Sequence, residues 1–213
     1  MTSASSSRTA VTGIAAGVLL LGGLGGFAIG LPEWIDDGGS TTSAAIPTEL
    51  PDVLPGGLVA SDSGKLPAEM ATEEDIARIA EVRESAAEGL SGLFEGDAII
   101  RSYASVDRAK AGFVMVVAVE PGLFVPQGPP VDPAISGMAR DAFELIRIDD
   151  AICDLNWGQP VPAGQPIDEA AEPAAVRCQL GANGATYEAN FIGVPAETVV
   201  EILHTIAGES QDQ

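Results

Sequence analysis

VRCQLGANGATYEANF, residues 176–191, carries the clearest folding instruction in the chain. Asn183-Gly184 is the dipeptide that tolerates the positive φ angles of a type I′ turn, so it predicts a hairpin. Pairing outward from it sets Leu180 opposite Tyr187, Cys178 opposite Ala189 and Val176 opposite Phe191 on one face. Gln179 then meets Glu188, and Arg177 meets Asn190, on the other. A face of apolar pairs backed by a face of polar pairs, in one register, is the pattern of a half-buried antiparallel ladder.

Working outward, Pro195 opens a last helix in which Val199, Ile202, Leu203 and Ile206 form an apolar stripe. Upstream, Thr72 followed by Glu73, Glu74 and Asp75 predicts an N-cap and an amphipathic helix from about 73 to 90. Residues 98–106 and 113–119 read as strands, and the second, apolar at every position, suits a central strand covered on both faces. Asp132 and Pro133, with Ile135, Met138, Ala142, Leu145 and Ile146 behind them, predict another helix reaching about 146.

The N-terminal third has a different composition. Residues 10–31 hold no charge and one hydroxyl, Thr12, long enough at ~1.5 Å per residue to cross a hydrocarbon core of ~30 Å. Arg8 is the one basic residue before Lys65, which keeps the N-terminus inside and exports the C-terminal remainder of the chain. A cleaved signal peptide is the rival, because Ala28-Ile29-Gly30 has a small-x-small pattern, but the run exceeds the usual ~7–15 residue apolar region. Gly22, Gly26 and Gly30 recur at every fourth position, a spacing through which two membrane helices pack as a homodimer. Residues 32–71, with Gly38-Gly39-Ser40 and Pro47, Pro51 and Pro55, read as a flexible stalk.

The expected architecture is therefore α+β. An N-terminal transmembrane helix (10–31) comes after a cytoplasmic tail (1–9), and the stalk (32–71) leads to an extracytoplasmic domain (72–208) and a short tail (209–213). That domain is expected to hold a mainly antiparallel sheet of about five strands packed by about three helices.

Thirty-one acidic residues face ten basic ones, a net charge of -21. Phosphate backbones need clustered Lys and Arg, so a nucleic-acid partner is excluded; a basic ligand or another envelope protein fits the field better. The two cysteines, Cys153 and Cys178, both lie beyond the apolar run, and an even pair in an exported chain predicts a disulfide worth ~3 kcal/mol by loop closure. His204, the sole histidine, shares a helical face with Glu197 and Glu201, but two ligands do not make a metal site. The adjacent acids Asp36-Asp37, Asp149-Asp150 and Asp168-Glu169 lack the Asp-x-Asp-x-Asp-Gly frame of a calcium loop. No Gly-x-Ser-x-Gly elbow exists, and a Ser-Lys dyad would have to use Lys65 or Lys110. No catalytic residue, cofactor or metal site is assigned.

Taken with Val176-Arg177-Cys178-Gln179, Phe191-Ile192-Gly193-Val194 and the helix over 196–207, this layout resembles a loosely defined class of single-pass anchored extracytoplasmic proteins of GC-rich Gram-positive bacteria. The resemblance implies a cell-membrane location and no one activity. The expected function is a non-catalytic binding or interaction module at the cell envelope. The alternatives are an exported metal-assisted hydrolase around His204 and a structural envelope component.

Overall fold

The hairpin of residues 176–191 lies near the middle of a large sheet. The computed structural model describes residues 44 and 46–209, which belong to one compact unit. Strands β9 (Ala175–Ala182) and β10 (Ala185–Ile192) pair in the register that their alternation dictates, turning at Asn183 and Gly184, both with positive φ. On the far side of β10 lies β4 (Ala111–Val117), then β3 (Ala98–Ser105), β2 (Leu58–Ala60) and β1 (Val53–Leu54). On the far side of β9 lie β7 (Ala151–Asn156) and the edge strand β6 (Phe143–Ile148), completing an eight-stranded antiparallel sheet. A small second sheet pairs β5 (Met138–Arg140) with β8 (Val161–Pro162).

Directly opposite residues share a face, so register gives the two sides of the sheet. One side carries Cys153, Leu155, Val176, Cys178, Tyr187, Phe191, Val114 and Val116, all buried. Helix α2 (Ala196–Glu209) covers it with Val199, Ile202, Leu203 and Ile206, each fully enclosed. At ~1.5–3 kcal/mol per buried aliphatic side chain, this stripe is a principal source of stability. Gly193, between β10 and α2, has φ 67° and passes so close to Ala109 that a Cβ would lie 2.3 Å from its carbonyl oxygen. Only glycine fits both demands.

Helix α1 (Glu73–Phe94) starts as the acidic run predicts. Thr72 accepts from the Asp75 amide, and Asp75 reaches back to the Thr72 amide, a capping box. The helix then runs past 90, ends at Glu95 in the left-handed region and buries none of its residues fully; Leu93 is 73% exposed.

The α+β expectation needs correction in three places. Among the described residues there are ten strands and two α-helices, so the fold is mostly sheet. Residues 46–71, expected within a flexible stalk, contain strands β1 and β2 of the sheet. Leu50, Leu54, Leu58 and Ala60 enter the core, and Arg101 locks the segment with bonds to Asp52 (2.8 Å), Asp62 (2.7 Å) and the Leu50 carbonyl. Arg83 of α1 pairs with Asp62, and the Tyr103 hydroxyl donates to the Pro51 carbonyl. Pro55, Gly56 and Gly57 make the tight turn between β1 and β2.

The helix expected over 132–146 is a single 3-10 turn, Pro133–Ser136, followed by β5 and β6. Asp132 does cap it through the Ala134 amide, but Gly137 takes φ 72° and stops it, leaving Ile135 78% exposed. From Phe143 onward the period-two ladder with β7 prevails over the helical spacing. The expected transmembrane helix, residues 10–31, lies outside the described residues; among those described, no helix is long and apolar enough to cross a membrane.

Candidate functional site

The second side of the sheet holds a row of mostly polar residues, Asp154, Arg177 and Asn190, beginning at Leu145 and running on to Phe113 and Ser102. The alternation of β7 places Asp154 here, because Cys153 and Leu155 face α2. Beyond β4 the chain passes back over this side, with the Thr186 hydroxyl donating to the Val119 carbonyl and Phe124 seated 5.5 Å from the Arg177 guanidinium. That covering turns a solvated strand face into an interior. Glu188, 4% exposed, is neutralised by Arg177 at 2.7 Å. Asp154, 6% exposed, has no hydrogen bond or ion pair among the described residues. Burial pushes its carboxyl above the ordinary aspartate value, against a downward pull from Arg177.

Beside Asp154 opens a cleft of about 930 Å³, formed by residues 127–131, β5, the start of β6, and the chain around Trp157, Pro160 and Ile167. Its walls are chiefly apolar, with Met138, Leu145, Trp157 and Ile167 among them. Arg140 lies with its guanidinium 3.9 Å from the centre of the Trp157 ring. Trp157 is itself held, its amide donating to the Ala142 carbonyl (2.8 Å) and its indole N–H to Glu144 (3.2 Å). The Arg140 Nε is enclosed with no hydrogen-bond partner, and no ion pair to Arg140 exists among the described residues. A buried donor left without an acceptor costs ~1–3 kcal/mol.

No family model, curated protein or solved structure matches the chain. The cleft and the chemistry around it are therefore the grounds on which a function rests.

Cys153 and Cys178 form a disulfide directly across the β7 and β9 ladder, Cα atoms 4.0 Å apart, both fully buried beneath α2. They face away from the cleft. His204 Nε2 lies 3.0 Å from a carboxylate oxygen of Asp150 in the β6–β7 turn, the oxygen accepting from the ring N–H. Among the described residues no three His, Cys, Asp or Glu side chains are arranged to hold a metal ion. Asp168 accepts from the Ala170 amide while Glu169 reaches the cleft rim, so this acidic pair is divided between two tasks. Lys65 pairs with Asp52 (2.9 Å), and Lys110 donates to the Gly56 carbonyl (2.9 Å). Gly22, Gly26, Gly30 and Asp36-Asp37 lie outside the described residues.

Sequence reasoning missed Asp154, Arg140 and Trp157. On its own strand Asp154 is an ordinary polar residue on the face opposite the cysteines, and only the returning chain buries it. Arg140 carried no signal, because its segment read as helix.

Proposed function

We propose that this chain is an exported, non-catalytic binding module held at a membrane by the apolar run 10–31, with the Arg140–Trp157 cleft as its ligand seat. One observation carries the reading: a largely apolar cleft contains an enclosed guanidinium donor and a buried carboxylate that find no hydrogen-bond partner among the described residues. Few polar groups set in apolar walls are the usual make-up of a small-molecule site. No histidine or cysteine lines the cleft, so the commonest general base and the usual thiol nucleophile are missing from its walls. The buried disulfide supports an oxidising compartment, and the full chain's net charge of -21 suits a water-exposed domain.

The test is a thermal-shift screen of the full chain against soluble metabolites, with recovery of each hit. A ligand at a hundred times its Kd stabilises by ~2.7 kcal/mol. Hits should come back chemically unchanged and lose their effect on Trp157→Ala. Turnover of a hit, or a shift indifferent to Trp157, defeats the reading. In cells, the cysteines should resist alkylation until a reductant and denaturant are added together; ready labelling would remove the exported placement.

A further inference from the structure

We infer that the cleft takes a small zwitterion on an apolar frame, whose carboxylate is gripped by Arg140 and whose ammonium group is met by Asp154. This deepens the binding-module reading and rests on it. Complementarity is the starting point. Arg140 offers a planar fork of donors, one of them enclosed and unbonded, and such a fork fits a carboxylate through two parallel hydrogen bonds. The Trp157 ring beneath it fixes the plane of the guanidinium without using any of its N–H groups. A lone anion would satisfy Arg140 but would leave Asp154 unpartnered, and would meet Asp141, Glu144 and Glu169 around the same cleft.

A lone cation would have the reverse fault. It would suit Asp154 yet leave the Arg140 donor enclosed and unmet, with a like charge beside it. Only a ligand bearing both signs completes both groups and enters with no net charge. Its frame should be apolar, because Met138, Leu145 and Ile167 supply much of the remaining wall. Amino acids with an uncharged hydrocarbon side chain or spacer are the class that fits, and the distance between the two charges is the variable that selects among them.

The experiment uses the full chain carrying Trp34→Phe, which leaves Trp157 as the single indole. Its emission is followed on titration with L-leucine, 4-aminobutyrate, 6-aminohexanoate and 8-aminooctanoate, and with the half-ligands hexanoate and hexylammonium. At least one zwitterion should bind saturably and ten-fold or more tighter than either half-ligand. Arg140→Gln should reduce its affinity to that of hexylammonium, and Asp154→Asn to that of hexanoate. The half-ligand comparison needs neither variant, so it stands even if one of them misfolds. Equal affinity for zwitterion and half-ligand overturns the inference while leaving a binding cleft. Silence of Trp157 throughout the series also overturns it, and the wider thermal-shift screen then decides separately whether the cleft binds anything.

Discussion

At Arg101, three donors reach Asp52, Asp62 and the Leu50 carbonyl from a side chain that is almost wholly buried. Removing it strands Asp62, 3% exposed, with Arg83 as its remaining cation. Arg101→Met should therefore cost ~3–5 kcal/mol in urea unfolding, the usual result of breaking one half of a buried pair. Asp52 and Asp154 pull in opposite directions with pH. A hydrogen bond from Lys65, opposed by burial and helped by Arg101, lowers Asp52, so its contribution is present above the unfolded aspartate value and fades as pH falls through the folded one. Burial, opposed by Arg177, raises Asp154, so between the unfolded and folded values the folded carboxyl keeps a proton that the unfolded chain loses; the stability contribution is full below the unfolded value and disappears as pH rises through the folded one. Asp154→Asn should raise the Tm at neutral pH and leave it nearly unchanged in acid, by an amount corresponding to ~1–3 kcal/mol. A loss of Tm at neutral pH would show that the carboxylate is paired after all. Under the proposed binding role, ligand affinity and stability are set against one another at this residue.

Among the elements, the two helices make a controlled contrast. Ile202 of α2 is fully enclosed and Val82 of α1 is 64% exposed. Ile202→Ala should cost ~2–5 kcal/mol, whereas Val82→Lys should change stability by less than ~0.5 kcal/mol, both by chemical denaturation. β4 is sensitive for another reason. A Cβ on Gly112 would stand 2.1 Å from the Asn190 carbonyl oxygen and 2.4 Å from the Phe191 ring, so Gly112→Ala should loosen the β4–β10 junction by ~1–3 kcal/mol and speed amide exchange in both strands. Legibility follows the same divide between local and distant causes. The hairpin, the capping box at Thr72 and the stripe of α2 could be read because a few neighbouring residues determine each. Residues 46–71 could not, since what holds them is Arg101, some forty to fifty positions later. The helical spacing from Ile135 to Ile146 was equally misleading, because a strand of alternating pattern was available to pair with β7. The cysteine pair was legible from its chemistry; Asp154 and Arg140 were not, because enclosure by remote segments is what makes either unusual.

Over the whole molecule, the sheet joins an N-terminal group of strands, β1 to β4, to a C-terminal group, β6, β7, β9 and β10, by one ladder between β4 and β10. The disulfide lies within the second group, between β7 and β9. Replacing both cysteines by alanine should lower stability by ~2–4 kcal/mol, and refolding from the reduced state should be slowed mainly in strands β7 and β9, as pulse-labelled exchange would show.

That one ladder also sets a timetable. β4 leaves the ribosome early, with its edge toward β10 bare, and its neighbour arrives only after everything from Ala118 to Gly184 has been made. At ~5–20 residues per second the delay is of the order of several seconds, during which the open edge of β4 is a ready template for any other strand that meets it.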